Sequence, residues 1–177
     1  TCALPILRPS FVLGGAAMSV ANNEKQLQRC LEKAFALDPR HPVLLEQFLQ
    51  DAIEVDVDAI SDGEEVFIAG LLEHVEAAGI HSGDSACFIP TLHLSPALQE
   101  AIKQQTRTIA ISLKLQGIFN IQFAVQENII YVLEVNPRAS RTLPFLCKVY
   151  GVPYVQIATQ CVLGRSLKQQ GITALPE

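Results

Sequence analysis

The feature that most constrains the fold is a pair of apolar segments, residues 118–125 and 129–135, separated by only three residues. Both segments have the length and the β-branched and aromatic content of buried strands, and so short a connection predicts a β-hairpin. Side chains two apart on a strand point to the same face of a sheet. The hairpin therefore determines which polar side chains of these segments can act together.

The second strand of the hairpin ends in a cluster of polar residues. Glu134 and Asn136 are two apart and share a face, and a carboxylate with an amide oxygen suits a hard cation such as Mg²⁺. Pro137 has no N–H to donate and ends the strand. Arg138 and Arg141 follow, and two cations beside metal-type ligands favour a polyphosphate site. The alternative interpretation is an edge strand that ends in a proline turn with surface arginines.

The register of the hairpin decides whether the first strand contributes a ligand. With a loop centred on Glu127, we expect Asn120 opposite Glu134 and Gln122 opposite Val132. Gln122 would then be a diagonal neighbour of Glu134, close enough for both to bind one ion or a pair of ions. A slip of one residue would move Gln122 to the other face. The sequence leaves both registers open.

Composition limits the class of protein. The 177 residues are 49% hydrophobic without a run of membrane-spanning length, which predicts a soluble chain that does not enter a membrane. A net charge of −5 argues against a broad nucleic-acid surface. Five scattered cysteines without a C-x-x-C pair indicate reduced thiols in the cytoplasm rather than a zinc site. The chain starts on an apolar segment without Met or a signal peptide, so we expect a piece of a longer polypeptide.

The first part of the chain predicts a small unit of residues 1–45, with a larger unit of residues 46–177 after it. Arg8 lies on a short strand, and the apolar residues around Gly14 and Gly15 predict a hairpin whose tip could approach a phosphate, although an ordinary glycine turn is the alternative. An amphipathic helix follows, capped by Asn22 or Asn23. Residues 42–49 predict a strand that leads away from this first unit.

An acidic strand opens the second unit. Residues 54–60 alternate acidic and apolar side chains, which predicts a half-buried strand with Glu54 as its most promising ligand-binding residue. Its three carboxylates either form a solvated face or contact a ligand hydroxyl or a cation. Asp62-Gly63 then predicts a turn. The polar stretch of residues 73–85 predicts a loop at the mouth of a site, since His74 and His81 lack the spacing of helical metal ligands.

Three further helices are indicated after this loop. Ser95 as cap and Pro96 as first residue begin a helix that we expect to reach about residue 116, with Gly117 ending it. Residues 145–150 and 153–163 are also helical in pattern, and each is followed by a glycine.

Taken in order along the chain, these motifs resemble the large subunit of carbamoyl-phosphate synthetase. They are Arg8-Pro-Ser with Gly14-Gly15, Glu54-Val-Asp-Val-Asp, Gly79-Ile-His-Ser-Gly-Asp-Ser, Asn120-Ile-Gln-Phe-Ala-Val and Glu134-Val-Asn-Pro-Arg-Ala-Ser-Arg. That subunit has two similar ATP-grasp halves. Gly14-Gly-Ala-Ala-Met and Arg141-Thr-Leu-Pro-Phe resemble the second half, which phosphorylates carbamate with ATP.

The resemblance implies a role for each motif. The Mg²⁺ or Mn²⁺ ions that bridge the ATP phosphates would be bound by Gln122, Glu134 and Asn136. The nucleotide would be bound by the phosphate contacts Arg8, Gly14 and Gly15, the adenine-pocket residues Gln47 and Leu49, the ribose ligand Glu54, and the adjacent Gly79, Ile80, His81 and Ser82. Arg138 and Arg141 would act on the transferring phosphoryl group. Members of the family also bind K⁺ near Glu54 and Ser85.

The implied fold class is α+β, an ATP-grasp fold with a partial lid subdomain and a mixed or antiparallel-sheet core subdomain with flanking helices. The implied partners are ATP, carbamate, the rest of the large subunit and a glutaminase small subunit, in pyrimidine and arginine biosynthesis. Only part of the lid and none of the preceding nucleotide-fold domain is present, so we expect no independent activity. One alternative is a nucleotide-binding fragment without turnover. The other is a different ATP-grasp carboxylate ligase, and the sequence of residues 79–85 argues against that ligase.

Overall fold

A computed structural model of the chain describes residues 5–9, 18–76, 78 and 85–172. The chain divides into two compact units, Thr1–Gln50 and Asp51–Glu177. This division falls after Gln50 rather than after residue 45. The reason is that the strand Val43–Gln47 does not lead away from the first unit but pairs antiparallel with Pro5–Pro9.

The first unit is a small sheet with one helix. Its described elements are β1 Pro5–Pro9, β2 Ser19–Val20, α1 Glu24–Leu37 and β3 Val43–Gln47. The strand order is β2-β1-β3, antiparallel throughout, and α1 contacts β1 and β3. The predicted cap of α1 is confirmed, because the side chain of Asn23 accepts a hydrogen bond from the backbone N–H of Gln26 at 2.9 Å.

The second unit is built on a five-stranded antiparallel sheet of order β6-β5-β4-β7-β8. Its described elements are β4 Ile53–Ser61, β5 Val66–His74, β6 Cys87–Phe88, α2 Pro96–Ser112, β7 Gly117–Gln126, β8 Ile129–Asn136, α3 Leu143–Tyr150, α4 Tyr154–Val162 and a final 3-10 turn, Lys168–Gln170. Among the described residues, no helix is both long and apolar enough to cross a membrane.

The two faces of this sheet bury different cores. One face packs against α2, with Ile102 and Ala110 in the same cluster as Val57 and Phe119. The other face is covered by α3 and α4 over only part of its area, in a second apolar cluster formed by Ile60, Phe67, Ala69, Leu72, Leu143, Leu146, Tyr154, Ile157, Ala158, Cys161 and Leu167. The rest of this second face carries polar side chains, so the helices leave a polar area of sheet beside the apolar core.

The helix α2 begins as predicted and ends earlier than predicted. The side chain of Ser95 accepts from the backbone N–H of Leu98, and Pro96 is the first helical residue. The helix stops at Ser112 because Lys114 takes a left-handed conformation, with φ of 54°. Gly117, with φ of 89°, therefore starts β7 instead of ending the helix.

The turn between β7 and β8 has two residues rather than three. Glu127 and Asn128 have φ of 50° and 64°, as in the type I′ turns that favour two-residue hairpins, and Gln126 pairs with Ile129. This turn alone would place Gln122 opposite Leu133. A β-bulge beyond Phe123 inserts Leu133 as an extra residue, so that Gln122 lies opposite Glu134.

The expected register, with Asn120 opposite Glu134 and Gln122 opposite Val132, is therefore wrong. Asn120 lies opposite Asn136, and Val132 lies opposite Phe123. The shorter turn moves the pairing by one residue and the bulge moves it by one more. Because the side-chain period of a strand is two, these two shifts together restore the face on which each side chain lies.

Asp62 joins the turn between β4 and β5 to the end of the chain. Its Oδ1 accepts from the backbone N–H groups of Glu64 and Glu65, and its Oδ2 accepts from that of Leu167 at 2.8 Å. Burial alone would raise the pKa of Asp62, but these donors together hold that pKa below 3.8. The ionised carboxylate therefore stabilises the packing of Leu167 in the second core.

We expect Asp62→Asn to lower the free energy of unfolding of the second unit by about 1 kcal/mol at neutral pH, because an amide cannot accept from both sides. The folded pKa is depressed, so this contribution is present above 3.8 and is lost as the pH falls through the folded value. The two proteins should therefore converge in stability in acid.

Tyrosine fluorescence during urea unfolding measures this, since the chain has no Trp and its three tyrosines, at positions 131, 150 and 154, all lie in the second unit. Glu64→Gln is the matched control, because it removes one charge from the same turn while only the backbone of Glu64 bonds to Asp62. Equal destabilisation by both variants would contradict the assigned role of Asp62.

Candidate functional site

The polar area of the sheet is organised in rows that run across the strands. One row joins Asp56 to Gln122 on β7 and Gln122 to Glu134 on β8. Directly paired residues of antiparallel strands share a face, so Gln122 and Glu134 lie side by side. The register therefore brings these two predicted metal ligands together on one face, as expected from the sequence.

The next row contains the third predicted metal ligand. It joins Asp58 to Asn120 and Asn120 to Asn136, on the same face as the first row. The side chain of Asn136 donates to Glu134 Oε1 at 2.8 Å, and Arg138 Nη2 donates to Asn136 Oδ1 at 3.4 Å. The amide nitrogen of Asn136 thus faces Glu134 and its oxygen faces Arg138, so the amide would have to turn over for both side-chain oxygens to bind one ion.

This donor set fits a hard divalent cation. It consists of one carboxylate, Glu134, and the amide oxygens of Gln122 and Asn136, all on one face of the hairpin. Glu134 is exposed, while Gln122 and Asn136 are half-buried, so their oxygens are accessible. Oxygen ligands of this kind suit Mg²⁺, which usually keeps several waters and binds through one or two carboxylates.

Asp58 fixes the loop that follows β8. Its carboxylate is fully buried and accepts hydrogen bonds from Asn120 Nδ2 at 3.1 Å, from Ser140 Oγ at 2.8 Å and from Thr142 Oγ1. Ser140 Oγ also accepts from the backbone N–H of Leu143, the first residue of α3. Burial raises the pKa of Asp58 despite these donors. The buried carboxyl therefore ties the loop and α3 to the centre of the sheet.

Arg138 and Arg141 lie on the loop that Asp58 holds. Both are exposed, and Arg141 Nη2 donates to the carbonyl oxygen of Ser85 at 3.3 Å. Arg138 donates through its backbone N–H to the carbonyl oxygen of Asn136 at 2.8 Å. Two guanidinium groups therefore lie directly after the oxygen ligands of β8. A phosphate group coordinated through a metal at Glu134 would meet positive charge on that side.

The acidic strand differs from expectation in its burial. The strand is buried on both faces, and Glu54 and Asp56 are only 5% and 3% exposed. The solvated-face interpretation is therefore wrong for these carboxylates. His74, on the adjacent β5, lies between them, with Nε2 3.2 Å from Asp56 Oδ2 and Nδ1 3.9 Å from Glu54 Oε1. Burial alone would lower the pKa of His74, but hydrogen bonds with Asp56 and Cys87 raise it to about 10.

The remaining site residues divide between the first unit and stretches outside the described residues. Arg8 lies on β1 and forms an ion pair with Glu46 at 3.5 Å. Gln47 ends β3 and is exposed, and Leu49 follows it half-buried. The other predicted nucleotide contacts lie outside the described residues: Gly14, Gly15, Gly79, Ile80, His81 and Ser82.

Sequence reasoning missed Asp58, Ser140 and Thr142 as determinants of the site. A signal was available, since Asn120 and Gln122 alternate on β7 in the same way as the carboxylates alternate on β4. Two strands with matching polar alternation predict a shared polar face. The Ser140-x-Thr142 pattern just before a helix also indicates hydroxyl groups that bond to local backbone or to a carboxylate.

The fold is shared with solved ATP-grasp proteins. Biotin carboxylase from Campylobacter jejuni, in its complex with β,γ-ATP, superposes with a TM-score of 0.76 at 19% identity over 97% of this chain and 40% of its own. The biotin carboxylase domain of 2-oxoglutarate carboxylase from Hydrogenobacter thermophilus, in complex with MgADP, ADP and bicarbonate, has a TM-score of 0.75 at 21% identity over 93% and 37%. The chain therefore has an α+β, ATP-grasp fold.

Sequence comparison gives the family. The family profile described as "Carbamoyl-phosphate synthase L chain, ATP binding domain" matches residues 2–170. The carbamoyl phosphate synthase large chains of Pasteurella multocida and Neisseria meningitidis serogroup A are 53% and 50% identical over 167 residues, which are 94% of this chain. The chain belongs to the carbamoyl-phosphate synthase large-chain family and corresponds to its ATP-binding domain.

The chain spans only part of these relatives. The matched region is 16% of the Pasteurella and Neisseria large chains. It is 30% of a separate relative from Aquifex aeolicus, described as the C-terminal section of the large chain, which is 50% identical over 164 residues.

Proposed function

We propose that the chain binds ATP with Mg²⁺ and forms part of the catalytic unit that phosphorylates carbamate to carbamoyl phosphate. The observation that carries the proposal is the polar face of the second unit, where Gln122, Glu134 and Asn136 lie together beside Arg138 and Arg141. Phosphoryl transfer depends mainly on positioning and on neutralising phosphate charge. An array of oxygen ligands followed by two guanidinium groups suits both requirements.

Gln122, Glu134 and Asn136 would hold Mg²⁺, or Mn²⁺, through their side-chain oxygens. The ion, when bound, supplies positive charge that neutralises the phosphate oxygens of ATP. Arg138 and Arg141 donate N–H groups toward the transferring phosphoryl group and orient it. Asp58 contributes by position, because its hydrogen bonds to Ser140 and Thr142 hold the arginine loop in place.

The family resemblance supports further contacts with the nucleotide. Glu54, a carboxylate with 5% exposure, would accept from the ribose hydroxyls, and Arg8 would contact the phosphates. Gln47 and Leu49 would line the adenine pocket. The same resemblance supports the proposal of phosphate contacts at Gly14 and Gly15, other nucleotide contacts at Gly79, Ile80, His81 and Ser82, and a K⁺ site near Glu54 and Ser85.

The proposed substrate is carbamate, and the proposed place is the second half of the large chain. The match to the C-terminal section of the Aquifex large chain supports this assignment, as does the Gly14-Gly-Ala-Ala-Met motif. Carbamate is already an anionic nucleophile, so no residue needs to activate it by removing a proton. The rest of the large chain and a glutaminase small subunit would be the partners, in the cytoplasm, in pyrimidine and arginine biosynthesis.

The alternative function is nucleotide binding without turnover. It is favoured by the coverage of the relatives, because the chain spans only 16% of their length. Calorimetry of the chain with ATP and Mg²⁺ tests the shared part of both proposals. Binding of ATP that does not depend on Mg²⁺ would contradict the metal role assigned to Gln122, Glu134 and Asn136.

We expect the isolated chain to fold but to form carbamoyl phosphate at less than a tenth of the rate of the second half-reaction of an intact synthetase. The reason is the positioning of the reactants, since the chain spans 16% of its large-chain relatives. Misplacement of the reacting groups by about 1 Å can cost roughly 10²-fold in rate. The measurement is a coupled assay for carbamoyl phosphate with purified chain, carbamate and Mg²⁺-ATP. Turnover within tenfold of the intact enzyme would show that the catalytic unit is complete within these residues.

A further inference from the structure

A second group of potential metal ligands lies on the same face of the sheet, on the strands next to the proposed Mg²⁺ ligands. It consists of Asp56 on β4, His74 on β5 and Cys87 on β6. The carboxylate oxygen, the imidazole nitrogen and the thiol sulfur all lie within 4.8 Å of one another. We propose that these three residues form a binding site for a borderline-soft divalent cation such as Zn²⁺.

The spacing of the three groups follows from the sheet. Cys87 is paired directly with His74, and His74 is next to Glu73, which pairs with Val55 beside Asp56. His74 and Cys87 therefore share a face, and Asp56 approaches them diagonally from the next strand. No rearrangement of the backbone is needed to bring the three side chains together, because they already converge.

The distances suit tetrahedral coordination. Zinc bonds of about 2.0 Å to nitrogen or oxygen and about 2.3 Å to sulfur place neighbouring ligand atoms roughly 3.3–3.6 Å apart. His74 Nε2 and Asp56 Oδ2 are separated by 3.2 Å, and the thiol lies within the 4.8 Å limit. Small side-chain rotations would complete the geometry. Three protein ligands leave a fourth position for water.

Burial gives an independent indication of a ligand. Asp56 Oδ1 and His74 Nδ1 are buried and make no hydrogen bond within the described ranges of the chain. Asp56 is 3% exposed and the His74 side chain is fully buried. Buried polar atoms normally have partners, and an unpaired one costs free energy. With its raised pKa the His74 ring carries a proton that compensates Asp56, so a cation at Nε2 would replace that proton and release it to solvent. The same cation could be bound by the unpaired Oδ1 of Asp56, while Glu54, 3.9 Å from Nδ1, orients the far side of the ring.

The arrangement does not fit a nucleophilic triad. In such a triad the two ring nitrogens of the histidine contact different partners, with the nucleophile on one side and the carboxylate on the other. Here Nε2 points at Asp56 within the cluster, and the nearest carboxylate to Nδ1 is Glu54 at 3.9 Å. The thiol, the imidazole and the Asp56 carboxylate instead each offer a ligand atom within 4.8 Å of the other two, as metal ligands do.

The site is chemically different from the face of Gln122, Glu134 and Asn136. That set offers oxygen atoms only, which suit Mg²⁺, whereas a thiolate and an imidazole favour Zn²⁺ over Mg²⁺. The two sites adjoin where Asp56 pairs with Gln122, but Asp56 on β4 and Glu134 on β8 are two strand spacings, or roughly 10 Å, apart, and His74 and Cys87 lie farther still. Each site could therefore bind its own ion.

The test is titration of the reduced 177-residue chain with Co²⁺, the spectroscopic substitute for Zn²⁺. Thiolate ligation gives an intense sulfur-to-cobalt charge-transfer band, and tetrahedral geometry gives strong visible d–d bands. We expect both in the wild-type chain, and we expect Zn²⁺, but not a large excess of Mg²⁺, to abolish them by displacing the Co²⁺.

Cys87→Ser should remove the charge-transfer band and weaken Co²⁺ binding at least about 100-fold, since even indirect partners of metal ligands contribute 10–100-fold. The matched control is Cys147→Ser, another partly buried free cysteine beside the same apolar cluster, which should leave the band unchanged. Asp56→Asn should weaken binding while the band persists at higher Co²⁺ concentration.

A second measurement does not depend on the variants folding. Zn²⁺ should slow alkylation of Cys87 in the native wild-type chain at least about tenfold, with no effect on Cys147, as read by mass spectrometry of peptides. A folded wild-type chain without a charge-transfer band would overturn the proposal. So would a band that survives in Cys87→Ser, or equal alkylation of Cys87 with and without Zn²⁺.

Discussion

Glu134→Gln is expected to lower the affinity of the chain for Mg²⁺-ATP by at least about 100-fold while leaving the fold intact. Glu134 is the only carboxylate of its ligand set, and losing even an indirect partner of a metal ligand costs about 10–100-fold in affinity. The side chain is exposed, and Gln keeps its size and its bond to Asn136, so the hairpin should remain unchanged. Isothermal calorimetry with ATP at fixed Mg²⁺ measures the effect.

The matched control is Glu127→Gln in the turn of the same hairpin. This residue is exposed, carries the same charge and is remote from the ligand row. It should bind Mg²⁺-ATP like the wild type. If Glu134→Gln also binds normally, the metal assignment is wrong. Should the wild-type chain bind too weakly to measure, the same pair of variants belongs in the full-length large chain.

Asp58→Ala is expected to destabilise the second unit by at least about 3 kcal/mol, the largest stability effect we predict. The change leaves Asn120, Ser140 and Thr142 without their common acceptor, and Asn120 is buried. Each hydrogen bond to a charged group contributes about 1.5–3 kcal/mol, which outweighs the relief from burying a carboxylate. Urea unfolding followed by tyrosine fluorescence reports on this unit.

Asp58→Asn provides the comparison, because its amide keeps one acceptor oxygen at nearly the same place. It should lose less stability than Asp58→Ala. Both variants should bind Mg²⁺-ATP more weakly than the wild type, since Ser140 lies between Arg138 and Arg141 on the loop. Normal stability of Asp58→Ala would show that the three hydrogen bonds contribute little to the fold.

Much of the fold could be predicted from local sequence patterns. The caps at Asn23 and Ser95 and the hairpin of β7 and β8 depend on short-range chemistry, which the sequence displays directly. The end of α2 could not be predicted, because Lys114 takes a left-handed conformation that glycine adopts more readily. The place of β3 depends on pairing with β1, a contact between distant segments that no local pattern encodes.

The candidate ligands could be predicted from the sequence, but the hydrogen bonds of Asp58 that hold the neighbouring loop could not. Glu134, Asn136 and Gln122 stand out because polar side chains interrupt apolar strands. Asp58 does not stand out in the same way, because its partners Ser140 and Thr142 lie more than 80 residues later and only the folded sheet brings them to it. The cluster of Asp56, His74 and Cys87 was hidden for the same reason, since its members come from three strands.

The extra residue at Leu133 makes the candidate site sensitive to chain length rather than to side-chain identity. Without the bulge, the two-residue turn would pair Gln122 with Leu133 and turn Glu134 toward the core under α2. A one-residue deletion between the turn and Glu134 would remove the bulge and leave Glu134 opposite Gln122, whereas a one-residue insertion there would turn Glu134 toward that core. Lineages of this family should therefore tolerate the loss of one residue at this bulge far better than the gain of one between the turn and Glu134.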